Sequence, residues 1–147
     1  MQDKSRMTLK IIAVIEFLIA AGIISFWVAF FSTDLMSIKD PKLKEIYLAF
    51  ESAFPIPDTW LAVSLIIGGI GLLKKKQYGY LFSLIGGSSL LFLGLLDISF
   101  NVLNGIYLVG IEEAILNISI NLLCLIAGVF IIYIVWRNKI KKIEGKL

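Results

Sequence analysis

The chain has 147 residues, 59% of them hydrophobic and 17% charged, with a mean hydropathy of +0.91. A soluble domain of this length cannot hide that much apolar surface, so lipid is the expected solvent and a single membrane domain (residues 1–147) the expected organisation. With no histidine and one cysteine, Cys124, the chain can form no internal disulfide, no His-based metal or haem site and no Ser-His or Cys-His pair; the net charge of +3 acquires meaning only once the charges are placed.

Met1 to Lys10 is short and polar. The apolar run that follows is broken only by Glu16. At ~1.5 Å rise per residue it crosses a ~30 Å core, so a first membrane helix is expected over about residues 10–31. It is too long for a signal-peptide core and lacks a small-residue cleavage site, which makes it a retained span. Asp40-Pro41 is a helix start: a capping residue, then Pro at the first helical position. Leu43, Ile46, Tyr47, Phe50 and Phe54 follow at helical spacing, which predicts an amphipathic helix over 41–54 in the interface. Pro55-Ile56-Pro57 should stop it. Asp58 should cap a second span over 58–73, with Trp60 in the aromatic belt.

Gly68, Gly69 and Gly71 give that span a smooth flank, and Lys74-Lys75-Lys76 reads as a tight turn. A third span is expected over 78–100, with Gly86-Gly87-Ser88-Ser89 near its middle, where it could meet the first glycine patch. Asn104-Gly105 is a turn signal, Ile106 to Glu113 a short interfacial connection, 114–136 a fourth span and 137–147 a basic tail. The fold class is therefore all-α, a four-helix transmembrane bundle with an amphipathic helix in the first outer loop.

Eleven of the fourteen basic residues (Lys4, Arg6, Lys10, Lys74 to Lys76, Arg137, Lys139, Lys141, Lys142 and Lys146) fall on one side of this topology. The other side holds Lys39, Lys42 and Lys44, with Asp34, Asp40, Glu45, Glu51, Asp58, Asp97, Glu112 and Glu113. The positive-inside rule puts both termini in the cytoplasm and the protein in the cytoplasmic membrane. An anionic inner leaflet accounts for the basic tail, and nucleic acid is not an expected partner.

Two polar features interrupt the apolar pattern. Asp97, Asn101 and Asn104 recur at i, i+4, i+7 on the third span, and Glu113, Asn117 and Asn121 at i, i+4, i+8 on the fourth. With Asp58, Trp60 and Tyr107 they are candidate ligand-binding residues of an outward-facing polar cleft. The structural alternative is a helix cap, dipole compensation and interhelical glue. The second feature is Glu16, roughly 9 Å into the first span. It is the candidate proton- or cation-coupling group, with Tyr80, Ser83 and Tyr133 at similar depth as bonding partners; an interhelical hydrogen bond is the structural alternative. No catalytic residue, metal site or cofactor is expected.

Phe54-Pro55-Ile56-Pro57-Asp58-Thr59-Trp60-Leu61, and Gly94-Leu95-Leu96-Asp97 continuing to Asn101 and Asn104-Gly105-Ile106-Tyr107, resemble strings of small, uncharacterised four-helix membrane proteins of bacteria and archaea. The topology is also similar to the sterol-isomerase-like EXPERA proteins, with Asp34, Asp58 and Asp97 as analogous acids. That likeness implies at most a lipid-like ligand pocket, because the isomerases also use a histidine, which this chain lacks. Glu16 in the first of four helices is similar to the small multidrug resistance exporters. The leading expectation is a non-enzymatic membrane protein that binds a small or lipid-like ligand, or a partner protein, through the outer cleft. A proton-coupled exporter using Glu16 and working as an oligomer, and a structural subunit of a membrane complex, are the alternatives.

Overall fold

A computed structural model of the chain describes residues 2–32 and 38–144. Asp34 and Lys146 lie outside the described residues. The elements are α1 (Gln2–Ser32), α2 (Pro41–Glu51), α3 (Pro55–Leu73), α4 (Gln77–Leu103), a 3-10 turn (Ile106–Leu108) and α5 (Ile111–Glu144). α1, α3, α4 and α5 are each long and apolar enough to cross a membrane.

The helix ends follow local chemistry. Asp40 caps α2, its carboxylate accepting from the Lys42 amide at 2.9 Å, with Pro41 at the first position. The reversal between α3 and α4 closes within three residues because Lys75 takes the left-handed conformation, φ 57°. Gly105, at φ 66°, ends α4 in the same way where Asn104-Gly105 predicted a turn.

Several helix ends differ from expectation: α2 ends at Glu51 rather than at residue 54, and α4 runs Gln77–Leu103 rather than 78–100. The second span starts at Pro55, not Asp58. Prolines fit a first helical turn, where amide hydrogens have no intrahelical partner in any case. Asp58 is thereby carried into the helix, its amide donating to the Phe54 carbonyl, so it does not serve as the N-cap. α5 begins at Ile111 and runs unbroken through the basic segment to Glu144. Nothing after Gly128 breaks a helix until Gly145, and Lys and Arg are good helix formers whose charge suits a C-terminal end. The connection after α4 is correspondingly short, with Ile106 fully buried.

Each spanning helix packs antiparallel on the next, α1 on α3, α3 on α4 and α4 on α5, and α5 closes lightly back on α1. The core holds Ile12, Ala13, Ala20, Leu61, Leu65, Leu90, Ile131 and Val135. Glycines set the spacing. Gly71 and Gly79 touch backbone to backbone, so neither has room for a Cβ. A Cβ on Gly128 would stand 2.8 Å from the Gly87 carbonyl oxygen. The two glycine patches do not simply face each other. Gly69 faces Phe17 of α1, Gly86 takes Leu65 of α3, and Gly87 turns to α5. α2 has no buried residue and docks by aromatic stacking, with Phe50 on Phe100 at 3.8 Å between ring centres and 5° between planes.

Gly79→Ala should destabilise the bundle by about 1–3 kcal/mol or more, because two backbones must separate. Gly22, where an added methyl group would meet nothing within 4 Å, should gain about 0.5–1 kcal/mol from the same change. Reversible unfolding in mixed micelles measures both.

Candidate functional site

Polar side chains collect at three places. The first is the seam between α4 and α5 at the acidic end of the bundle. Asn101 and Asn117 are buried, and the Asn101 amide donates to the Asn117 side-chain oxygen at 3.3 Å. Asn117 in turn donates to the Glu113 carbonyl at 2.9 Å, which ties the first turn of α5 to its second. Asn121, 3% exposed, donates to the Tyr107 hydroxyl at 2.8 Å and so anchors the 3-10 turn. Asn104 donates to the Phe100 carbonyl at 2.9 Å and finishes α4. Both expected polar stripes therefore turn inward, and their amides meet one another or nearby backbone. Geometry of this kind holds helices together where lipid supplies no hydrophobic drive.

The second place is the end of α3. Asp58 is buried and accepts from the Trp27 indole at 2.9 Å, linking α3 to α1. It also lines a groove of about 480 Å³ between α3 and α4, with Phe54, Pro57, Trp60 and Leu61 on one wall and Ser88, Ser89, Phe92, Leu93 and Leu96 on the other. Asp58 is the one charged residue of that lining. Asp97, half-buried on the turn after Leu93, has Glu51 and Asp58 as its charged neighbours. Glu51 of α2 is itself half-buried. Loss of hydration is the chief reason its carboxyl titrates above the ordinary glutamate range, with the Asp58 charge adding to the shift and the Tyr47 hydroxyl opposing it. Tyr47, one turn before Glu51, is pushed up by burial and by Glu51, Glu113 and Asp97. Three carboxyl groups and a phenol thus gather beside the mouth of an apolar groove.

Sequence reasoning named Asp58, Trp60 and Asp97 but missed Glu51 and Tyr47. Their i, i+4 spacing on a helix expected to roof the cleft was the available signal. The single cleft that the sequence suggests is distributed over two places. Asn101, Asn104, Tyr107, Asn117 and Asn121 belong to the α4–α5 seam, with Glu113 half-buried at its end, whereas Asp58 and Trp60 belong to the α3–α4 groove.

The third place is at the opposite end. Glu16 is wholly buried, and its Oε1 and the Ser83 hydroxyl of α4 both lie close to Gly68 of α3. Ser83 was an expected neighbour. Tyr80 is also buried, one turn from Ser83, with the Lys139 ammonium 5.4 Å from its ring centre. Tyr133 is 56% exposed and its hydroxyl accepts from Arg137 at 3.3 Å, so it turns away from Glu16. Cys124 is buried against Gly94 and serves packing. Among the described residues no group of three or more acidic or thiol side chains is arranged to hold a metal.

No curated protein and no solved structure matches the chain. A family described as a domain of unknown function, DUF8058, matches residues 6–146, nearly the whole length, and the chain belongs to that family.

Proposed function

We propose that this is an integral protein of the cytoplasmic membrane, with both termini inside, that binds a lipid-like amphiphile with a cationic head group in the groove between α3 and α4. The observation that carries the reading is the groove itself. Its volume of about 480 Å³ is of ligand-pocket size, its walls are apolar apart from Asp58 and two serines, and further acids stand at its mouth. An apolar tail would lie along Leu61, Phe92 and Leu93, where it is continuous with the bilayer. A cationic head would lie against Asp58, Asp97 and Glu51, since the Asp58 charge acts on Glu51 and the Glu51 and Asp58 charges act on Asp97. Acids gathered in this way would give a cation a reason to stay. α2 holds Glu51 in place through the Phe50–Phe100 stack, so it works as a roof carrying part of the head-group site. Trp60, 54% exposed at the rim, suits the membrane interface.

A photoreactive alkylammonium, applied to the protein in lipid nanodiscs, should label peptides within 54–61 and 88–96. Asp58→Asn combined with Asp97→Asn should reduce labelling roughly tenfold or more, since a hydrogen-bonded charge contributes ~1.5–3 kcal/mol. The Asn at 58 keeps an acceptor for Trp27, so the helix link survives. An alkyl sulfate probe of the same length that labels these peptides equally well contradicts the reading.

The pH dependence has a definite sign. A cation is bound by ionised carboxylates, so labelling is strong above the raised pKa of Glu51 and is lost as pH falls through it. The loss begins above the ordinary glutamate value of 4.5. Glu51→Gln should remove the Glu51 share of that titration while leaving the fold intact by circular dichroism.

A further inference from the structure

The cluster around Glu16 is separate from the groove. Glu16, Ser64 and Ser83 are each 0% exposed, and they come from three different helices. Both carboxylate oxygens and both hydroxyl oxygens lack a hydrogen-bond partner. Gly68 makes the space between Glu16 and Ser83. A Cβ there would stand 2.8 Å from the Ser83 hydroxyl oxygen and 3.2 Å from Glu16 Oε1. Ser64 lies one turn from Gly68 on the same face of α3.

The unused hydroxyls are informative. A helical serine commonly discharges its hydroxyl onto a carbonyl of the preceding turn, as Ser99 does to Leu95 at 2.8 Å and Ser52 to Ala49 at 2.8 Å. Ser64 and Ser83 do not, although both are fully buried, where an unmade hydrogen bond is most costly. A carboxylate enclosed in a bundle needs compensation, and among the described residues no charged neighbour acts on it. The free polar atoms are all oxygens, the donor set of a hard cation. One carboxylate supplies one negative charge, so a divalent ion would leave a net positive charge buried, whereas a monovalent one leaves none.

We propose that Glu16, Ser64 and Ser83 form an internal site for a single positive charge, a sodium-sized alkali cation or a proton, with Glu16 as its counter-charge and the two serines as neutral oxygen ligands. Gly68 is the floor of the site. Among the described residues no charged group acts on the Glu16 carboxylate itself. α3 presents Gly68, with Ser64 one turn away, and α4 presents Ser83 with the Tyr80 phenol one turn away. On α5, Ile131, Val135 and Cys124 are buried and the Lys139 ammonium stands 5.4 Å from the Tyr80 ring centre, while Lys10 of α1 is exposed. Glu16 lies roughly 9 Å from the basic end, so exchange with that side is the short route.

The test uses the full chain in lipid nanodiscs and sodium chloride exchanged for choline chloride at constant ionic strength. If the occupant is sodium, Tm rises with sodium concentration at high pH, and the effect weakens as protons compete at lower pH. Glu16→Gln abolishes the response, and Ser64→Ala with Ser83→Ala weakens the apparent affinity by roughly tenfold or more. Gly68→Ala, which fills the floor, does the same and serves if the serine pair will not fold. If the occupant is a proton, Tm is indifferent to sodium, and an infrared band of a protonated carboxyl appears in the wild type and is missing in Glu16→Gln. Both results support the site. Indifference to sodium together with identical infrared spectra of wild type and Glu16→Gln overturns it.

Discussion

Helix contact without side chains is the constraint on which the rest of this structure depends. In lipid, apolar residues gain nothing by leaving one helix surface for another, so close packing and polar contact must hold the bundle. α3 and α4 touch at Gly71 and Gly79, and α4 and α5 at Gly87 and Gly128. At such distances backbone dispersion replaces side-chain burial, and polar side chains from neighbouring helices fall within reach of each other. The Asn101–Asn117 bond joins α4 and α5, the helices that meet at Gly87 and Gly128.

The same closeness divides the polar groups into three kinds of environment. On the α4–α5 seam, amides satisfy amides, and the result is adhesive. At the α3–α4 groove Ser88 and Ser89 line a cavity that also takes in Asp58, beside further acids. Around Glu16 the helices bury a carboxylate and, beside it, the Ser83 hydroxyl, and neither has a hydrogen-bond partner. The last two environments carry energetic debt, and the two binding readings answer it, a cationic amphiphile at one end and a single small charge at the other.

Much of the architecture was legible in the residues. Four apolar runs of bilayer length, the Asp40-Pro41 start and the Asn104-Gly105 stop all carry strong local signals, and each marks a helix or its end in the structure. The start of α3 was not, because a Pro-x-Pro string reads equally as a stop and as a first turn. Which face of each span turns inward was also hard to read. A helix apolar on every side has no period to choose a face. Depth can be counted from the ends, which puts Tyr80, Ser83 and Tyr133 level with Glu16, but only orientation decides that Ser83 meets it while Tyr133 faces outward. Ser64 was invisible for the same reason, although Ser64, Gly68 and Gly71 at i, i+4, i+7 trace the small-residue face that packs on α4.

One chemical measurement reaches the glycine seam directly. A Cβ on Gly94 would stand 3.1 Å from the Cβ of Cys124, close to the ~3.5–4.5 Å separation across a disulfide. The single substitution Gly94→Cys, with no second change, should therefore form an intramolecular disulfide with the native Cys124 on mild oxidation in nanodiscs, read as a mass loss of two hydrogens in the intact chain. Phe92→Cys, on the exposed side of the same helix, should form none. If Gly94→Cys stays reduced, or reacts only between molecules, α4 and α5 do not meet on their glycine faces and the packing described above is wrong.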